Sequence, residues 1–232
     1  MIVEALAWDS AFFKMKIGRS SAKDVLDTKS IKNDNSINFD LIYLFSEKKQ
    51  PDLTCINEKV DFEIEITEIP EEIMFDINIW KGPIVPELID LTLLSGHLSR
   101  FRLDRHLRHK YEDLYILWLK KSIEGKLADY VLAAKDQNKI IGFLTLKIHK
   151  KFARIGLVAV HPDQQGAGWG RALLDKACEL TNANGKTTLR VATQARNEGA
   201  MRYYIGYGLR SCKTEYIYHL WRGEHFAKQP LI

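Results

Sequence analysis

Cysteine is scarce in this chain: three in 232 residues, at Cys55, Cys178 and Cys212. So odd and widely spaced a set provides neither a disulfide framework nor a Cys-x-x-Cys metal pair. Long apolar runs are missing too, since nothing approaches the roughly 18 apolar residues of a membrane-spanning helix. The opening Met1-Ile2-Val3-Glu4 has neither the basic nor the apolar region of a secretory signal. There is no internal repeat and no low-complexity tract. What is present is 46% hydrophobic and 28% charged residues, which excludes disordered and collagen-like classes and suffices for a packed core. The expected setting is a soluble, reducing compartment, most simply the cytoplasm.

Proline is sparse and unevenly placed. Four of the six (Pro51, Pro70, Pro83, Pro86) fall between positions 51 and 86, whereas ten of the fourteen glycines lie beyond 140. The stretch from Ile69-Pro70-Glu71-Glu72 to Lys81-Gly82-Pro83 is therefore the expected boundary between segments 1–78 and 79–232. Charge divides at a similar place. Residues 1–80 carry nine Lys and Arg against sixteen Asp and Glu, net −7, and residues 81–232 carry 25 against 14, net +11. A surplus of +11 points to an anionic ligand, either nucleic acid or a phosphorylated cofactor.

Periodicity supplies the elements. Residues 39–45 form a short aromatic and β-branched run, and residues 60–67 alternate apolar with acidic, so both read as strands. The acidic side chains of 60–67 are expected on a solvated strand face. Downstream, helices are expected over 86–98 (Pro86 is tolerated near a helix start), 111–123, 170–181 and 199–205. Strands are expected over 129–134, 139–147, 155–160, 187–193 and 215–221, the first two joined by a turn at Lys135-Asp136-Gln137-Asn138. This order indicates an α+β domain on a mixed sheet.

The strand 155–160 leads through His161-Pro162-Asp163-Gln164 into Gln165-Gly166-Ala167-Gly168-Trp169-Gly170-Arg171 and a helix. Alternate glycines leave successive backbone N–H groups free to face one ligand. At a helix N-terminus such orphan donors and the helix dipole suit phosphate oxygens. A plain strand-to-helix turn uses glycine in the same way. No Lys-Ser/Thr follows, which excludes a Walker loop, and the spacing is not that of a dinucleotide fingerprint.

Gln165-Gly166-Ala167-Gly168-Trp169-Gly170 resembles the Gln/Arg-x-x-Gly-x-Gly/Ala loop of the GCN5-related N-acetyltransferases, or GNAT family. A second segment, Asn197-Glu198-Gly199-Ala200-Met201-Arg202-Tyr203-Tyr204, resembles the family's Asn-x-x-Ala-x-x-x-Tyr stretch. Further likeness in 95–222 and in Trp8-Asp9-Ser10-Ala11-Phe12-Phe13 is to the branch that acetylates the 4-amine of dTDP-4-amino-4,6-dideoxygalactose; residues 20–70 carry no match. The resemblance implies the GNAT fold, a mixed sheet with splayed fourth and fifth strands, preceded by a smaller α/β N-terminal domain. It also implies direct transfer from acetyl-CoA to a nucleotide-linked amino sugar, or alternatively to a protein N-terminus or small amine, or CoA binding without catalysis.

The same resemblance assigns roles. Amides of Gly166, Ala167, Gly168, Trp169, Gly170 and Arg171, with Gln165, would hold the cofactor pyrophosphate. Leu157, Val158, Ala159 and Val160 form the fourth strand, with the Val158 amide facing the thioester oxygen. Tyr204 is the expected acid for the leaving thiolate, and Asn197 either binds the pantetheine arm or the tyrosine, or caps a helix. A base is not evident: His161 is a candidate that also reads as a turn residue, and solvent water is the other. Arg100 and Arg102, in a basic stretch between two helices, would bind the nucleotide diphosphate or lie in a solvated loop. His106 and His109 lack a third ligand, so no metal is expected. Nucleic acid is not expected either, because aromatics are too few for a stacking platform. No membrane partner is expected, and a homodimer is left open.

Overall fold

Alternating apolar residues turn much of the chain into strands of one sheet. The computed structural model describes residues 2–26, 38–68 and 73–223. Its strands are β1 (Glu4–Ala5), β2 (Ile17–Ala22), β3 (Leu41–Ser46), β4 (Asn57–Glu65) and β5 (Ile77–Ile79), followed by β6 (Tyr130–Asp136), β7 (Lys139–Ile148), β8 (Ala153–Val160), β9 (Thr188–Gln194) and β10 (Arg210–Trp221). They hydrogen-bond in the order β1-β2-β3-β10-β4-β9-β8-β7-β6-β5. The β2–β3 and β8–β9 pairs are parallel, and the other described pairs are antiparallel. Six helices accompany them: α1 (Ala7–Phe13), α2 (Pro86–Ser95), α3 (Arg100–Leu103), α4 (Tyr111–Ile123), α5 (Trp169–Ala183) and α6 (Glu198–Tyr207). This is the expected α+β architecture. No helix among the described residues is long and apolar enough to cross a membrane.

The strand expected at 60–67 becomes β4, in which Val60, Phe62 and Ile64 alternate with charged residues and pack into the core beneath α5 and α6. β4 lies between β9 and β10, with Phe62 opposite both Val191 and Ser211. Strands from the acidic and the basic segments thus share one sheet. Its acidic face is not simply solvated, contrary to expectation. Asp61 is buried and pairs with Lys59 at 2.8 Å and with Arg154, while Glu63 pairs with Arg190 at 2.9 Å. Partners of opposite charge explain the difference: Lys59 on β4 itself, Arg190 directly opposite on β9, and Arg154 on β8.

Helices cover both faces. On one, Leu173, Leu174, Ala177 and Cys178 of α5 and Tyr204 of α6 join the β4, β7, β8 and β9 side chains. On the other, Leu88 and Leu91 of α2 and Leu119 of α4 pack on Ala133, Ile140 and Phe143. Beside them, Phe13, Phe101 and Tyr115 close over Ile17, Leu41 and Tyr43. The helix expected to reach 98 stops at Ser95 with Gly96 as its C-cap, where the Tyr115 ring would stand 2.2 Å from an added Cβ. The β6–β7 turn is two residues tight, Gln137 and Asn138 both adopting positive φ, as the strand twist demands. β10 begins at Arg210, five residues before the expected start, because β4 supplies a partner. Elements β1, α1, β2, β5 and α3 were not anticipated; all are short. The Ile69–Glu72 part of the expected boundary lies outside the described residues.

Phe62 is fully buried on β4. Phe62→Ala is expected to cost about 3–5 kcal/mol, the range for truncating a core aromatic, read from denaturant midpoints. A cost below about 1 kcal/mol would show that β4 is peripheral to the core.

Candidate active site

The parallel β8–β9 pair holds together over only two residues. Ala153 lies opposite Leu189 and Arg154 opposite Arg190, after which the ladder ends although β8 runs on to Val160 and β9 to Gln194. A bulge drives the divergence. Between the Leu144–Val158 and Leu146–Ile155 pairs, β8 contains one residue more than β7. There the Leu157 amide donates to Thr145 Oγ1 at 2.8 Å. A bulge bends its own strand and raises its twist, and here it turns β8 away from β9.

The ladder also decides which amides face the opening. His161 N–H donates to the Ile141 carbonyl across β7. Antiparallel bonding alternates every second residue, so Ala159 also addresses β7, while the N–H and C=O groups of Val158 and Val160 face the β9 side. Gln165 Nε2 confirms this by donating to the Val160 carbonyl at 3.1 Å. The Val158 amide therefore faces the gap toward β9, and those of Leu157 and Ala159 point into the sheet. The side chains of Val158 and Val160 pack on the α5 side, and those of Leu157 and Ala159 on the α2 side.

At the end of β8, His161 caps a 3-10 turn (Pro162–Gln164), its Nδ1 accepting from the Asp163 amide at 3.3 Å. Gly166 and Gly168 then take φ of +79° and +95°, a region closed to most side chains. An added Cβ at Gly168 would stand 2.9 Å from the Phe75 ring, which itself packs edge-on against Trp169. Gly168 is the N-cap of α5 and offers no capping side chain. Among the described residues nothing accepts from the amides of residues 166–171. Six consecutive donors at the positive end of a 15-residue helix form a ready site for phosphate oxygens. The Arg171 guanidinium lies over the Tyr207 ring at 5.3 Å.

α6 is locked against α5. Tyr203 Oη donates to the Gly170 carbonyl at 2.5 Å, and Tyr207 Oη donates to Asp175 at 2.7 Å. Asn197 caps α6, its Oδ1 accepting from the Ala200 amide at 3.2 Å. Capping takes the side-chain carbonyl and leaves the amide protons for another partner. Tyr204 lies one helical position past Tyr203, 3% exposed, beside the Phe62 ring at 5.7 Å and in the cluster that Val158 and Val160 border. Burial alone pushes its hydroxyl far above the ordinary tyrosine value.

Arg100 and Arg102 of the basic stretch lie in different surroundings. Arg102 is exposed and donates to the His97 carbonyl at 2.8 Å. Arg100 turns inward instead, its guanidinium 3.9 Å over Tyr43 and 4.4 Å over Phe101, with NH1 at 3.3 Å from His219 Nε2. Since an arginine N–H can only donate, His219 Nε2 must carry a lone pair, and its Nδ1–H donates to Asp104 at 2.5 Å. Burial pulls the His219 pKa down to about 4, the Asp104 contact opposing that shift only in part. Burial works against ionised Asp104, but His219, Trp221 and the His106 amide outweigh it and hold the carboxyl below its ordinary range. His106 stacks on Trp221 with ring centres 4.6 Å apart, and His109 is exposed. No group of three or more His, Cys, Asp or Glu among the described residues is arranged to hold a metal. Thr145, Asp104 and His219 escaped the sequence reading, and no local pattern marks them.

A mixed sheet opened between parallel strands, with a glycine-rich helix N-terminus at the opening, defines an acetyltransferase-type fold. Residues 94–208 match the sequence model of the Acetyltransferase (GNAT) family, and the chain belongs to that family. It is 32% identical over 134 residues to a dTDP-fucosamine acetyltransferase of Escherichia coli O6:H1, covering 57% of each chain. It is 28% identical over 127 residues to the spore coat polysaccharide biosynthesis protein SpsD of Bacillus subtilis, covering 54% of this chain and 44% of that one. The chain thus spans about half the length of these curated relatives. A solved GNAT-family acetyltransferase from Novosphingobium aromaticivorans shares the fold, with a TM-score of 0.52 and 15% identity over 80% of this chain and 75% of that one.

The two loop glycines should respond differently. Gly166 has open space around it, so Gly166→Ala meets only the backbone penalty of positive φ, about 1–2 kcal/mol. Gly168→Ala also strikes Phe75 and is expected to cost more, and melting curves of the two variants rank them. The buried imidazole gives a pH signature. An unfolded histidine takes up a proton near pH 6.5, and folded His219 only near 4. Its contribution is full above about pH 6.5 and is lost as pH falls toward 4, with a slope of up to about 1.4 kcal/mol per pH unit. Denaturant midpoints between pH 7 and 4.5 should fall less steeply in His219→Gln than in the wild type.

Proposed function

We propose that this chain transfers the acetyl group of acetyl-CoA directly to the amine of a nucleotide-linked amino sugar, with the 4-amine of dTDP-4-amino-4,6-dideoxygalactose as the acceptor suggested by the relative's name. One observation carries the acetyl-transfer reading: β8 parts from β9 with the Val158 amide turned into the gap, beside six acceptor-free amides at the α5 N-terminus.

Residues 166–171 fit a diphosphate, because their backbone amides have no acceptor among the described residues. Acetyl-CoA held there supplies an activated acetyl thioester. The Val158 amide donates toward the oxygen on which negative charge develops; a single such donor is typically worth 10²–10³ in rate. Tyr204 keeps its proton at every physiological pH because burial disfavours the phenolate. It can therefore hydrogen-bond to sulfur and release the proton only as negative charge builds there. A thiol of ordinary pKa about 8.5 is otherwise a poor match for so weak an acid. Asn197 orients the cofactor arm through its free amide protons while its carbonyl holds α6. His161 is exposed and committed to a turn, so solvent water is the proposed acceptor of the amine proton. Residues 1–78 are proposed as the unit that builds the acceptor side, the face opposite α5.

Tyr204→Phe preserves the ring against Phe62. It is expected to reduce turnover about 10²-fold, followed as free thiol release with dTDP-4-amino sugars, while CoA affinity stays within about twofold. Unchanged turnover removes Tyr204 as the acid. CoA binding without thiol release from any acceptor in the screen points instead to a non-catalytic binder.

A further inference from the structure

The face opposite α5 carries a second set of unsatisfied donors. Arg19 lies opposite Tyr43 in the β2–β3 ladder, and Tyr43 lies opposite His219 in the β3–β10 ladder. Directly opposed residues share a face, so the three form one row, which Arg100 of α3 covers. The Arg100 guanidinium is 5.6 Å from the centre of the Phe45 ring, and the Arg19 guanidinium covers that same ring at 4.3 Å. Two cations therefore contact one aromatic ring.

Neither cation has a carboxylate within ion-pair distance among the described residues. Asp9 acts on Arg100 only from farther away, and Asp104 is occupied by His219, Trp221 and the His106 amide. Of the five N–H donors of Arg100, His219 accepts from one, and no other meets an acceptor among the described residues. The Tyr43 hydroxyl beneath is fully buried and also has no partner among the described residues. Buried polar groups are nearly always paired, so this arrangement calls for an external acceptor.

The structure assigns to Arg19, Arg100 and Tyr43 a binding site for a phosphate-type oxyanion. Planar guanidinium forks match phosphate oxygens two at a time, and a diphosphate offers oxygens to each fork. Asp104 and His219 act as positioning residues: Asp104 orients the imidazole, and its lone pair fixes one edge of Arg100. That the oxyanion belongs to the acceptor rests on the acetyl-transfer reading. Leu157, on the bulge that opens β8 from β9, borders the same cluster of side chains as Tyr43 and Phe101. Three strand spacings separate Tyr43 from β9, roughly 14 Å at about 4.8 Å each. Such an acceptor carries its anion well away from its amine, which excludes free amino acids and simple amines.

The test is calorimetric titration of inorganic pyrophosphate into the full chain saturated with CoA, so that the α5 N-terminus is already filled. One equivalent is expected to bind. Arg19→Gln, at an exposed position that should not disturb folding, is expected to weaken it at least tenfold. Tyr43→Phe, which keeps the ring, should weaken it severalfold, and malonate should bind at least tenfold less tightly than pyrophosphate. CoA affinity should stay within twofold in both variants. Absence of pyrophosphate binding, unchanged affinity in either variant, or equal binding of malonate overturns the assignment. Failure of CoA itself to bind removes the acetyl-transfer reading instead. Pyrophosphate titrated into wild type and Arg19→Gln without CoA then still decides the site.

Discussion

The hydrogen bond from the Leu157 amide to Thr145 Oγ1 sets the geometry on which the rest depends. It occupies a backbone donor that a regular ladder would have sent to a carbonyl, and so accommodates the extra residue on β8. With that residue in place β8 cannot follow β9, and the backbone groups of Val158 and Val160 lose their expected strand partner. Unpaired backbone groups inside a sheet are costly unless something else meets them. Gln165 meets one of them, the Val160 carbonyl. The Val158 amide is among those left, and a bound ligand is the economical way to satisfy it.

The opened sheet needs support on both sides of the gap. β9 finds it in β4, which pairs with it over the full length from Thr188 to Gln194. β4 belongs to the acidic segment and β9 and β8 to the basic one, so opposite charges meet as Glu63–Arg190 across the β4–β9 ladder and as Asp61–Arg154 one strand further on. Part of the basic surplus that suggested an anionic ligand thus neutralises the protein's own strand. The donors left for a ligand are fewer and differently placed: backbone amides at α5, and the guanidiniums of Arg19 and Arg100 on the far face.

α5 and α6 are coupled through Tyr203, Tyr207 and Cys178. This ties the loop that faces phosphate to the helix that carries Tyr204, so the two cannot shift independently. Burial raises every hydroxyl in this group. Tyr203 and Tyr207 use theirs to hold helices together, whereas no charged or hydrogen-bonding neighbour contributes to the Tyr204 shift. Three tyrosines within five residues of one helix therefore differ in role because of direction, not composition.

Local chemistry was readable from the chain alone. Alternation marked β4, the glycine spacing marked the α5 N-terminus, and Asn197 followed by a helical stretch marked a cap, since each depends on residues within a few positions of one another. Pairings between distant residues were not readable. Arg100 read as a diphosphate ligand or a solvated-loop residue, and its inward turn was hidden because His219, which it meets, lies 119 residues away. β10 looked shorter than it is because its partner β4 lies about 150 residues earlier, and the bulge at Leu157 depends on a threonine on the neighbouring strand. Sequence determined the elements and the donors they carry. Only the tertiary structure decided which donors remain unpaired, because pairing depends on which distant strand or side chain the fold brings within hydrogen-bonding reach.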